Sequence, residues 1–341
     1  MTTTTMTPTT GSATDAPRDR EVGRTSAATA HAVAFVTEHR PLAEQAGAAL
    51  ADDLHDPDAF AAHLRAAFVR LADPAYLAGQ QRVAPGIGRI HGVRWPLLAA
   101  IVRGFRQATR RDRPGPLLYV ADRLFYEPEL EARWFAFDLL ARTLHDDPER
   151  TWQLLRRASR EAADWITVDS LAHPVGAGVA QEPYRWAELE QLVFSPSRWE
   201  RRLVGSTIAT MTHGRRTAGR DPETLAHAVP LLHQLMGDAE PDVQKALAWA
   251  WRSLAGIDRP AVEASLREEA AVAVQTADGY RAWVIRDSLP KLDPAVAAEL
   301  RDRLAGIRKR PGAPSTSAAA ALAAQFGRLP EPAHHPEPPL A

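Results

Sequence analysis

Trp165 and Asp169 stand four apart in the run Asp164-Trp165-Ile166-Thr167-Val168-Asp169-Ser170-Leu171. On a helix that spacing stacks the two side chains on one face. An indole face beside a carboxylate makes a receptor for a cation: the ring offers its negative face and the acid its charge. The ordinary alternatives are a core tryptophan and an aspartate that caps a helix end.

Two later segments carry further candidates. Trp199-Glu200-Arg201-Arg202 opens an amphipathic run, and Val243-Gln244-Lys245-Ala246-Leu247-Ala248-Trp249 follows a helix-start signal at Pro241. Charge is unevenly spread around them. Between Arg82 and Arg113 eight arginines, Arg106 and Arg110 among them, stand against Asp112 alone; between Arg198 and Arg220 six stand against Glu200. The acids gather in 44–58, 127–149 and 258–302. Two basic stretches on one surface would form a stripe for phosphates. Paired with acids of other helices, they would be ordinary solvated faces. A net charge of −1, from 41 Lys and Arg against 42 Asp and Glu, therefore does not exclude a nucleic-acid partner.

Taken in order, these segments resemble the AlkD-like DNA alkylation repair family of HEAT-like glycosylases. That family carries a W-x-x-x-D-S segment, then W-x-x-R, then Q-K-A-x-x-W. The matching residues are Trp165, Asp169 and Ser170, then Trp199 and Arg202, then Gln244, Lys245, Ala246 and Trp249. Gly92-Val93-Arg94-Trp95-Pro96 is similar to the family's G-V-x-x-P turn, and Glu131 to Asp138 to its E-x-x-x-x-A-x-D helix. The resemblance covers about residues 60–255. Ala99 departs from it, standing where the family often has Arg, and Gly214 to Gly219 reads as an insertion. A tyrosine that lines the family's site has no secure counterpart; Tyr76 is the nearest.

The resemblance implies an enzyme that hydrolyses the N-glycosidic bond of cationic N3- or N7-alkylated purines in duplex DNA, without a closed base-flipping pocket. Such a base leaves without protonation by a general acid. The barrier lies in oxocarbenium character at the deoxyribose, which a nearby carboxylate stabilises while it orients water. On this reading Asp169 is that carboxylate, and Trp165 and Trp249 pack against the sugar. Arg202 holds a phosphate, with Arg201, Arg106 and Arg110 as further phosphate contacts. No cofactor and no metal are expected. Two competing readings are a family member that binds DNA without excision and a protein–protein scaffold; the intact Trp165/Asp169/Trp249 set favours catalysis.

The elements that must position these residues read as helices nearly throughout. Asp-Pro pairs begin amphipathic runs at 56–57, 73–74, 147–148, 221–222 and 293–294, with Ser195-Pro196 and Glu240-Pro241 as weaker versions. The Asp side chain can accept an unpaired first-turn N–H, and Pro at the next position lacks one to waste. Apolar residues then recur at three and four, as in Leu97, Leu98, Ile101, Val102 and Phe105, or Trp199, Leu203, Val204, Ile208 and Met211. Roughly twelve to fifteen helices follow from this periodicity. The fold expected is all-α, an α-solenoid of HEAT-like antiparallel helix pairs with a concave face, although no strict period is legible. Residues 1–26 are expected to be a disordered lead-in and 27–307 the helical repeat domain. Residues 308–341 are expected to be a linker and Pro/Ala-rich tail, with a short helix near 316–326.

Composition closes other routes. The absence of cysteine excludes a thiol nucleophile, a disulfide scaffold and Cys-ligated metal. No run reaches the roughly 18 apolar residues of a membrane span, and the Thr-rich start lacks the pattern of a secretory signal. A cytoplasmic monomer is expected, associated with the nucleoid when bound to alkylated double-stranded DNA. His334-His335 reads as a polar spacer.

Overall fold

The computed structural model describes residues 26–83, 88–212 and 222–326. Among these, the α-helices are α1 (Ala27–Ala49), α2 (Pro57–Leu71), α3 (Pro74–Val83), α4 (Trp95–Ala108), α5 (Pro114–Leu124), α6 (Leu130–Thr143), α7 (Pro148–Glu161) and α8 (Trp165–Gln181). They continue as α9 (Arg185–Val193), α10 (Arg198–Met211), α11 (Pro222–Leu235), α12 (Pro241–Leu254), α13 (Arg259–Thr276), α14 (Gly279–Ser288), α15 (Pro294–Arg303) and α16 (Ala318–Ala323). No strand forms among the described residues; two isolated bridges, Ala72 with Val93 and Arg89 with Glu129, are the nearest thing to a sheet.

The Asp-Pro rule operates at most of its sites. Asp56 accepts the Ala59 N–H at 3.1 Å, Asp73 that of Ala75 at 2.9 Å and Asp293 that of Ala295 at 2.9 Å. Asp147 makes no such cap, because its carboxylate pairs with Arg150 at 2.5 Å. At α10 the cap is Ser197, since the Ser195 hydroxyl is engaged with Glu200. Asp221 lies outside the described residues.

The helices stack in two rows. One runs α1, α4, α6, α8, α10, α12, α14, each packed on the next; in the other, α2 packs on α5, α5 on α7, α9 on α11 and α13 on α15. The chain is thus an all-α solenoid. Its apolar core is continuous along the array, from the Phe60–Phe105 edge contact at 5.4 Å between ring centres to Trp251 of α12, which is fully buried.

Arginine–acid pairs mark the repeat length that the sequence conceals. Arg106–Asp138, Arg156–Glu188, Arg201–Asp238, Arg252–Asp287 and Arg267–Glu299 are separated by 32, 32, 37, 35 and 32 residues. The spacing drifts, so no fixed period can be read from the chain.

The C-terminal segment departs from the expected linker. The Tyr280 hydroxyl donates to the carbonyls of Arg310 and Ala313 at 3.2 and 2.7 Å, and the Thr316 N–H donates to Gly237 O at 2.9 Å. Ser317 and Ala319 are buried, and α16 packs on α11. Gly279 makes room for the docking: a Cβ there would lie 2.1 Å from the Arg308 carbonyl oxygen. The expected lead-in (apart from Ser26), the tail beyond 326 with its His334-His335, and the insertion at 214–219 fall outside the described residues. Among those that are described, no helix is long and apolar enough to cross a membrane.

Candidate functional site

Three neighbouring helices of one row, α8, α10 and α12, carry the segments that the sequence singles out. Asp164 caps α8, accepting the Thr167 N–H at 2.8 Å and the Thr167 hydroxyl at 2.6 Å. Capping is therefore Asp164's task, and Asp169 sits one turn inside the helix above Trp165. The Trp165 side chain is 39% exposed, unusual for so large an apolar group, and Asp169 keeps part of its carboxylate open at 22%.

That carboxylate is held from α10. Arg202 donates from Nε to Asp169 Oδ1 at 3.1 Å and from Nη2 to Oδ2 at 2.7 Å. The Ser206 hydroxyl donates to Oδ1 at 2.6 Å. Arg202 Nη1 reaches on to the Asp242 carbonyl of α12 at 2.7 Å, so one guanidinium ties three helices. Arg202, expected on a phosphate, is instead only 5% exposed and committed to Asp169. Ser206 was missed by sequence reasoning; its place four residues after Arg202, on the same face, was the available signal.

The α10–α12 contact explains the Q-K-A-x-x-W segment. A Cβ on Gly205 would lie 2.9 Å from the Ala246 carbonyl carbon and 3.0 Å from its Cβ, so both positions must be small. Gln244 is buried, donating to the Asp238 carbonyl at 2.6 Å and accepting from Lys309. Lys245, Trp249 and Arg252 share a more open side of α12 at helical spacing. Lys245 is exposed, and Trp249 is partly buried beside a cleft of about 500 Å³ that Arg252, Arg259 and Lys291 also line. Trp251, by contrast, packs in the core, and Trp199 is partly buried under the Arg198 guanidinium at 4.8 Å.

The remaining arginines show where the basic stretches spend their charge. Arg201 pairs with Asp238 at 2.7 Å and donates to the Ser195 and Pro196 carbonyls. Arg106 forks onto Asp138 at 3.0 and 2.8 Å. Burial pushes the Asp138 pKa up, with the Arg106 charge pulling against it. Arg94 and Arg103 pair with Asp73 and Glu44, each at 2.6 Å. Arg110 is exposed, with no hydrogen-bond or ion-pair partner among the described residues. Arg215 lies outside them.

The two weaker sequence echoes are halves of one structure. Glu131 of α6 turns its Oε1 onto the N–H groups of His91, Gly92 and Val93 at 2.9, 2.9 and 3.3 Å. Gly92 is at φ +84°, where a Cβ would also strike Leu77 at 2.7 Å, so only glycine fits. The turn aims α4, and with it Arg106, at α6. Tyr76 of α3 lies here too, under the Arg94 guanidinium at 4.9 Å.

Among the described residues no group of three or more His, Asp or Glu could hold a metal ion. A protein-family model described as DNA alkylation repair enzyme matches residues 64–292, from within α2 to just past α14. No curated protein matches the chain.

Proposed function

This chain belongs to the DNA alkylation repair enzyme family, and we propose that within it the chain is a glycosylase that removes N3- and N7-alkylated purines from duplex DNA. The observation that carries the reading is the held carboxylate: Asp169, beside the exposed Trp165, fixed in one orientation by Arg202 and Ser206. A carboxylate has about four acceptor sites. Three are filled by these donors, which leaves Oδ2 able to accept from a water.

The chemistry asks for that and little more. An alkylated purine already carries positive charge. When the N-glycosidic bond breaks, the bonding pair goes to the base, which leaves neutral. The deoxyribose C1′ takes on oxocarbenium character, and the Asp169 charge stabilises it. Water attacks C1′ and passes its proton to the carboxylate or to solvent, giving an abasic site. Trp165 and Trp249 would pack against the sugar and the cationic nucleotide, contributing about 0.5–2 kcal/mol each. Arg110 and Lys245, both exposed, are candidates to meet phosphates, while Arg202 positions Asp169.

The test is a duplex bearing a single 7-methylguanine, scored for abasic sites. Excision by the wild type and loss of about 100-fold or more in Asp169→Asn supports the proposal, in keeping with the removal of a transition-state charge. Duplex binding without excision would leave a DNA-binding family member and no glycosylase.

A further inference from the structure

Beyond the region that the family model matches, the chain returns to α12. Arg286 of α14 donates to the Leu304 and Ile307 carbonyls at 3.2 and 2.9 Å, and Tyr280 holds the carbonyls of Arg310 and Ala313. Between these anchors lie Arg308 and Lys309. The Lys309 ammonium sits 3.9 Å from the centre of the Trp283 ring and donates to Gln244 Oε1. Neither partner carries negative charge.

The charges acting on Lys309 are those of Lys245, Arg286 and Asp287, and burial together with the two cations pushes its pKa down. Asp287 is already engaged by Arg252. Arg308 is exposed and makes one contact, to the Ile307 carbonyl at 3.3 Å; Lys245 is exposed with no partner among the described residues. Lys245 directly follows Gln244, which accepts from Lys309, so two of the chain's three lysines lie near one another. An ammonium has three donors and Gln244 takes one. Lys245 is also one turn from Trp249 on the open side of α12, so the cluster adjoins the proposed site.

We infer that Lys245, Arg308 and Lys309 form a phosphate-binding patch for duplex DNA, completed by the C-terminal segment that Arg286 anchors. The inference rests on the DNA reading above and extends the contacted backbone beyond the family-matched region. Arg308 and Lys309 meet phosphate oxygens directly, and Trp283 and Gln244 hold Lys309 in place.

The experiment measures binding of an undamaged duplex against salt, which does not depend on excision. Each lost phosphate contact lowers the slope of log K against log salt by about 0.9. The double variant Arg308→Gln, Lys309→Gln is expected to lower it by about one to two, and Lys309→Arg to keep it. Gln at 309 retains an amide donor for Gln244. If that variant melts below the wild type, Arg308→Gln alone carries the test, with a loss of about one. An unchanged slope in a folded variant, with the wild type binding normally, overturns the patch and leaves the glycosylase reading standing. Wild type that does not bind duplex at low salt overturns both. Stabilisation by inorganic phosphate with an unchanged duplex slope assigns the cluster to a free anion and overturns the DNA assignment.

Discussion

Arg202 and Asp169 meet through two hydrogen bonds, Nε to Oδ1 at 3.1 Å and Nη2 to Oδ2 at 2.7 Å, with the guanidinium almost wholly buried. The pair joins α10 to α8 and fixes which way the carboxylate points. A lysine could supply the charge but not the fork. Arg202→Lys should therefore lower excision of 7-methylguanine about 10–100-fold while leaving the salt slope of duplex binding unchanged. A slope smaller by about one would show that Arg202 holds a phosphate instead.

Glu131 accepts three backbone N–H groups of the 91–93 turn while itself 1% exposed. Glu131→Ala leaves those donors buried without a partner and should cost about 2–4 kcal/mol of stability. Glu131→Gln keeps a carbonyl oxygen and should cost roughly half as much. Urea unfolding of the three proteins measures both; equal midpoints would mean that the turn is held by other contacts.

Gly205 is where α10 and α12 come closest, with the Ala246 carbonyl carbon 2.9 Å from where a Cβ would stand. Gly205→Ala must push the helices apart, at about 1–3 kcal/mol. It should also lengthen the reach of Arg202 to the Asp242 carbonyl and lower excision. Adding Ala246→Gly should not rescue it, because the nearest obstruction is backbone. Full rescue in the double variant would contradict this packing.

Asp73 supplies a pH test. Burial pushes its pKa up, but the Arg94 hydrogen bond, the Ala75 and Tyr76 N–H groups and the Arg94 charge together hold it below the ordinary 3.8. As pH falls, the unfolded chain takes up this proton first. The stabilisation is therefore complete above 3.8 and is lost as pH falls through the folded-state value. Asp73→Asn should be less stable than wild type by about 1–3 kcal/mol near neutrality. The gap should narrow in acid below 3.8; a gap that is constant down to low pH would show that the charge of Asp73 contributes nothing.

The helical fold was legible because its signals are local: an Asp, a Pro and an apolar period lie within a few residues of one another. Trp165 and Asp169 were legible for the same reason. What stayed hidden depends on partners far along the chain. Ser206 and Arg202 matter through an acid on another helix, and a count of arginines near Arg94, Arg103 and Arg106 cannot see Asp73, Glu44 and Asp138 across the packing. The segment after residue 307 has the Pro and Gly content of a linker, yet Tyr280 and Gly279 of α14 give it a seat.

The ladder of ion pairs from Arg106–Asp138 to Arg267–Glu299 joins one repeat to the next at 32 to 37 residues. An array coupled between neighbours behaves as a spring, since a small rotation at each joint accumulates along its length. Several rungs, Arg106–Asp138 and Arg267–Glu299 among them, stand partly in water, where salt weakens them. Ionic strength would then alter the winding of the whole body before it melted any helix, and a rigid rod lying along the row would register that change as a mismatch between its two ends.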